Sequence, residues 1–227
     1  MSTWIRVARY QLTALPGYLG LVLSWVLVFL ASLVRAAASA PPRPGEAIHY
    51  FVSIICVFFL LAGAQGPARQ LPFALALGVS RRSFYAGTAL FAGAIAAVAA
   101  LGVTVLQLIE RATGGWGVNL HYFRVPYLLA GPWYLTWLTS FAGLTLMLAW
   151  GMWFATIYRR WNLPGLLAFI AAQALALLAI YWAHHWHGWL VSFVVGTLTI
   201  GGLTGLLAAL ALALLAGGYA TMRRITV

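Results

Sequence analysis

The chain has 227 residues, 64% of them hydrophobic and only 7% charged, against about 25% charged in a soluble domain. So few charges cannot cover a water-facing surface, and with a mean hydropathy of +0.96 the composition specifies an all-α integral membrane protein. The 13 basic residues are all Arg, Asp is absent and the only acids are Glu46 and Glu110, which excludes a phosphate-loop lysine, a lysine Schiff base, an aspartyl phosphate and an aspartic dyad.

Residues 2–15 come first and read as an amphipathic helix in the membrane interface. Trp4, Ile5, Ala8, Leu12 and Leu15 fall on one side, and Arg6, Arg9 and Thr13 on the other. The start carries no pattern of a cleavable signal peptide. A hydrocarbon core about 30 Å thick needs roughly 20 apolar helical residues, and six stretches qualify: about 17–38, 47–66, 83–110, 129–157, 163–183 and 189–221. Pro41 to Gly45 breaks the chain between the first two, and Thr113 to Asn119 between the third and fourth. The whole chain, 1–227, is thus one transmembrane domain. With the N-terminus inside, Arg6, Arg9, Arg69, Arg81, Arg82, Arg159, Arg160, Arg223 and Arg224 face the cytoplasm, and Arg35, Arg43, Arg111 and Arg124 the outside. This asymmetry puts both termini in the cytoplasm. It also explains the net charge of +11 without a nucleic-acid partner. The last span is long enough to tilt, bend or project at its inner end.

The loop between the second and third spans, residues 67–82, is the most informative. Pro67 is expected to stop the preceding span. Residues 70–77 form a short helix with Pro72 in its first turn and Leu71, Phe73, Leu75 and Leu77 as its apolar content. Gly78 suits its C-terminus and Ser80 caps the next helix. Arg81 and Arg82 then stand where the helix dipole disfavours cations, so lipid phosphates or an acidic partner must offset them. The run from Leu71 to Phe84, Leu-Pro-Phe-Ala-Leu-Ala-Leu-Gly-Val-Ser-Arg-Arg-Ser-Phe, resembles the coupling-helix region of ATP-binding-cassette exporter permeases of the type-2 integral-membrane family. The resemblance implies a half-size permease of a bacterial cytoplasmic membrane. It would pair with a second permease, identical or not, and with two copies of a soluble ATPase subunit that carry the ATP and Mg. In that reading Arg69, Leu71, Phe73, Leu75, Gly78, Ser80, Arg81 and Arg82 form the ATPase-coupling segment. The permease itself binds no cofactor and is no enzyme. The short connection at Ala183 to Trp189 departs from relatives that carry re-entrant helices there, which shifts the expected cargo from polysaccharide or sterol toward an amphiphilic small molecule, drug, peptide or lipid.

Other polar groups are sparse. Glu110 closes the third span beside Arg111 and is expected to pair with Arg111 or Arg124 in the headgroup region. Gln107 and Gln173 lie inside spans. The resemblance places the fifth span on the dimer cavity, so Gln173, with Gln107 and Glu110, is a candidate for the substrate path. His184, His185 and His187 crowd the outer end of the fifth span among Trp182, Trp186 and Trp189; an aromatic belt accounts for them, and no metal site is assigned. Ala89, Gly93 and Ala97, and Gly201 and Gly205, recur every four residues as small-residue rows for close helix packing. The single Cys56 allows no disulfide within the chain. The alternative functions are a self-contained membrane enzyme, for which the acids and bases are few, and a haem- or cofactor-handling permease using the outer histidines.

Overall fold

The computed structural model describes residues 7, 15–38, 46–117, 121–123, 129, 131–186 and 200–223. Every regular element among them is helical: α1 Leu15–Ala38, α2 Glu46–Gln65, α3 Leu71–Ala76, α4 Arg81–Ala112, α5 Trp133–Trp186 and α6 Ile200–Arg223. Four stretches are long and apolar enough to cross a membrane, Ser53–Ala76, Arg81–Ala112, Trp133–Trp182 and Ile200–Arg223. The membrane-protein character read from composition therefore stands. Of the expected interfacial helix only Val7 and Leu15 are described; Val7 is helical and buried in the main core, and Leu15 opens α1. Residues 189–199, the start of the expected last span, lie outside the described residues.

The 54 residues of α5 are not one rod. Asn162 has φ 53° and ψ −151°, outside the helical region, and Pro164 follows it. The rings of Trp153 and Phe169 lie 5.1 Å apart, and those of Phe154 and Phe169 5.0 Å apart. In a straight helix those 15 or 16 residues would separate them by about 23 Å. The chain therefore turns back at Asn162 into two antiparallel arms. The reversal is tight enough that a Cβ on Gly165 would collide with the Cβ of Trp161. Asn tolerates a positive φ better than most residues, and Pro164 cannot supply an N–H to an unbroken helix. The first arm starts at Trp133 rather than at 129, because Pro132 seeds its first turn, accepting from the N–H groups of Leu135 and Thr136 at 3.0 and 3.1 Å. It runs on to the reversal rather than stopping at 157.

The first arm of α5 is the hub, packing on α2, α4 and α6. Against α2 the approach is backbone to backbone. A Cβ on Gly63 would lie 2.8 Å from Leu148 Cα, and one on Gly151 would overlap the carbonyl group of Leu60. Arg159, near the end of this arm, reaches the carbonyl of Ala68 just past the end of α2, so the two helices run in the same direction. Against α6 the arm runs parallel: Thr139 and Thr204 share a 2.6 Å hydroxyl hydrogen bond, and Trp153 Nε1 donates to Thr221 Oγ1 at 3.1 Å. Tyr85 ties α4 to α6 by donating to the Leu215 carbonyl at 2.6 Å. The row on α4 that the core buries is Ala92, Ala96 and Ala100. Of the expected small-residue rows, Gly93 and Gly205 have nothing within 4 Å of a built Cβ, and Ala97 lends its carbonyl to Trp137 Nε1 at 3.3 Å.

Candidate functional site

Pro67 does not stop the helix before it. Gly66–Gln70 continues α2 as a π turn, with helical angles at Gln65 (φ −63°, ψ −39°) and at Leu71 (φ −57°, ψ −48°). A widened turn has room for the proline ring, which in an α-helix would press on the carbonyl of residue 63, and Pro67 has no N–H to lose. Gly66 and Pro67 are buried, so the widening is held by packing. The short helix itself is as expected, one residue shorter at each end. It carries Pro72 at its start and ends in a left-handed residue, Gly78, at φ +77°. The Gly78 N–H donates to Leu75 O and the Val79 N–H to Ala74 O, both at 3.0 Å. These paired bonds form a Schellman stop that satisfies the last carbonyls and turns the chain sharply. Ser80 is extended (φ −66°, ψ 145°) and accepts from the Ser83 N–H at 3.2 Å, capping α4.

The turns fix which apolar residues face outward. Leu71 and Ala74 are buried in the main core, with Leu75 and Val79 packed against it. Phe73 and Leu77, a helical turn apart, are 51% and 66% exposed. Arg69 and Arg82 flank them and are exposed, while Arg81 is half-buried. The sequence listed four apolar residues without dividing them; helical spacing would have separated Leu71 and Leu75 from Phe73 and Leu77. It also missed the anchor. Arg159, at the tip of the α5 hairpin, donates a hydrogen bond to the carbonyl of Ala68 in the π turn. Tyr85 and Tyr219 rings meet at 5.7 Å, bringing the end of α6 to the same place. One end of the molecule thus gathers Arg69, Arg81, Arg82, Arg159, Arg160 and Arg223.

Opposite lies the other polar centre. Glu110 is 1% exposed and Gln107 fully buried. Glu110 Oε2 accepts from Trp116 Nε1 at 3.1 Å, the Tyr122 N–H at 2.9 Å and the Phe123 N–H at 3.0 Å. Its Oε1 lies 3.7 Å from His121 Nδ1. Gln107 donates to the carbonyls of Phe123 and Leu129 at 3.1 and 2.7 Å. The expected pairing of Glu110 with Arg111 is corrected: Arg111 turns to the Leu129 carbonyl at 3.0 Å. The loop's own N–H groups outcompete the guanidinium because they would otherwise be buried without acceptors. Arg124 lies outside the described residues. Phe29 of α1 packs edge-on against Trp116 and Tyr122 at 5.2 and 5.5 Å, and the Tyr122 hydroxyl reaches Ser32.

Gln173 stands apart from this centre, on the second arm of α5. It is half-buried, and its Nε2 is buried with no hydrogen-bond partner. His185 is exposed; His187 and the side chain of His184 lie outside the described residues. Among the described residues no group of three potential metal ligands comes together. Comparison with family models, curated proteins and solved structures finds no match to the chain.

Proposed function

We propose that the chain is the membrane-spanning subunit of an ATP-driven exporter of the type-2 ATP-binding-cassette kind, coupled through residues 67–82 to a separate ATPase. The observation that carries this reading is the division of the short helix. Leu71 and Ala74 hold it to the membrane domain, while Phe73 and Leu77 stand outward between exposed arginines. An apolar pair rimmed by charge is the anatomy of a protein contact. The Arg159 bond to Ala68 joins the same segment to the α5 hairpin, so a push on the short helix reaches the spanning helices. Dividing α5 at Asn162 and counting α1 and α2 gives six helices of crossing length, consistent with both termini on the basic, cytoplasmic side of a bacterial membrane. The second arm of α5 exposes Leu175, Leu177, Ile180 and Tyr181, a surface suited to lipid or to a second permease. Gln107 and Glu110 are engaged with the loop, so within this reading Gln173 alone of the three is placed to line a path for an amphiphilic cargo. ATP and Mg belong to the partner, and this subunit contributes no catalytic residue.

The test is purification from the native membrane in mild detergent, with companions identified and counted by mass spectrometry. A soluble chain bearing a phosphate-binding loop, stoichiometric with this one and lost when Phe73 and Leu77 are both replaced by Glu, is the expected result. Retention of the same companion by that variant overturns the coupling assignment. Recovery of this chain alone overturns the exporter reading.

A further inference from the structure

A cleft of about 440 Å³ lies on the inner side of the α5 hairpin near its tip, lined among others by Trp153, Trp161, Ala168, Phe169 and Thr221. Its volume is within the range of about 300–1,000 Å³ usual for small-ligand sites. At the depth of the cleft, the side-chain polar atoms of Trp153 and Thr221 are already engaged. Trp153 Nε1 donates to Thr221 Oγ1 at 3.1 Å, and Thr221 Oγ1 donates to the Gly217 carbonyl at 2.9 Å. What remains is an aromatic and aliphatic surface. It runs from Trp161 at the hairpin tip down to Trp153, about 12 Å deeper along the helix. Gly165 keeps the rim narrow, since a side chain there would strike Trp161.

The rim is cationic. Arg160 lies with its guanidinium carbon 4.1 Å from the centroid of the Trp161 ring. A guanidinium laid on a ring keeps its in-plane N–H donors for a planar or tetrahedral oxyanion. Arg223 follows two residues after Thr221, 5.9 Å from the Tyr219 centroid. No side-chain carboxylate of this chain can serve them. Glu110 is at the far end, and Glu46 begins α2, about 28 Å along its axis from Gln65. Polarity thus changes along the cleft from fixed positive charge at the mouth to apolar aromatic walls at depth.

We propose that this cleft is a binding site for an anionic phospholipid, with one acyl chain lying against Trp153, Phe169 and Ala168 and the phosphate on Arg160. The inference depends on the chain spanning a membrane and not on an ATPase partner. An aromatic floor takes an acyl chain without leaving a donor unpaired, and the hairpin tip sits where a headgroup would lie. Both lipid classes offer the phosphate to Arg160, but the choline of a zwitterionic lipid would bring a cation against Arg160 and Arg223, so the rim favours the anionic lipid of the same chains.

The test is native mass spectrometry of the full chain, delipidated and reloaded with phosphatidylglycerol or with phosphatidylcholine of identical chains. One phosphatidylglycerol is expected to survive activation, favoured about tenfold over phosphatidylcholine. Ala168→Trp fills the cleft and is expected to abolish retention of both lipids. Arg160→Gln is expected to erase most of the preference while leaving retention. Undiminished retention in Ala168→Trp, or an unchanged preference in Arg160→Gln, overturns the site. Should Ala168→Trp fail to fold, phosphatidylglycerol brominated in its acyl chain and added at one molecule per chain gives an independent reading. It should quench the tryptophan fluorescence of the parent, and Trp153→Phe with Trp161→Phe should remove that quenching. Quenching that survives both replacements overturns the site equally.

Discussion

Glu110 shows how much one side chain can organise. A carboxylate that takes three N–H groups from residues 116, 122 and 123 is the nucleus around which the loop folds. Glu110→Ala leaves those donors buried without an acceptor and is expected to cost roughly 2–4 kcal/mol. Thermal unfolding in detergent measures the loss, and proteolysis within 113–131 should quicken in step. An unchanged midpoint would show that water satisfies the donors instead. The sequence placed Glu110 at the end of its helix correctly, but Arg111, one of the two partners it offered, turns to the Leu129 carbonyl instead. Its true partners are 6, 12 and 13 residues away in an irregular loop, where no periodicity reports contact. Arg159 escaped notice for the same reason, being 91 residues from the carbonyl it holds. Ser80 and Gly78 were readable because a cap and a left-handed stop act on their own neighbours.

At the scale of elements, the long apolar runs and the break between 157 and 163 were legible from hydropathy. Which small residues make helices touch was not. Four-residue spacing marks a row on a helix and is silent about which row meets a neighbour. Gly63 and Gly151 sit where α2 and α5 meet backbone to backbone, whereas Gly93 faces open space within the chain. Gly63→Leu should therefore prevent correct packing of α2 on α5 and abolish folded yield, while Gly93→Leu should leave the monomer's unfolding free energy within about 0.5 kcal/mol of the parent's. Size-exclusion chromatography and thermal unfolding of the two variants compare them directly. Equal damage from both would place Gly93 in a contact that the single chain does not show. Pro67 carries a similar lesson: proline ends an α-helix by its ring and its missing N–H, and a π turn accommodates both. A rule about one helix type misses a change of helix type.

Across the whole molecule, polarity divides between two ends. One end assembles Arg69, Arg81, Arg82, Arg159, Arg160 and Arg223; the other holds Glu110, Gln107 and, of the segment after α4, Trp116, Tyr122, Phe123 and Leu129. In a Cys56→Ser background, cysteines placed at 73, 82 and 163 should react with a membrane-impermeant thiol reagent in inverted vesicles only. Cysteines at 113 and 117 should react in intact cells only. Labelling of both groups from one side would refute the six-crossing arrangement. The exporter account makes one demand beyond topology: ATP turnover must depend on the short helix. The most direct measurement is ATP hydrolysis by the complex purified from its native membrane, with the parent chain and with Phe73→Glu, Leu77→Glu, each checked for native unfolding. The account predicts hydrolysis that co-purifies with the parent and is lost with the doubly substituted chain. Hydrolysis indifferent to those two residues, or none with the parent, would contradict it.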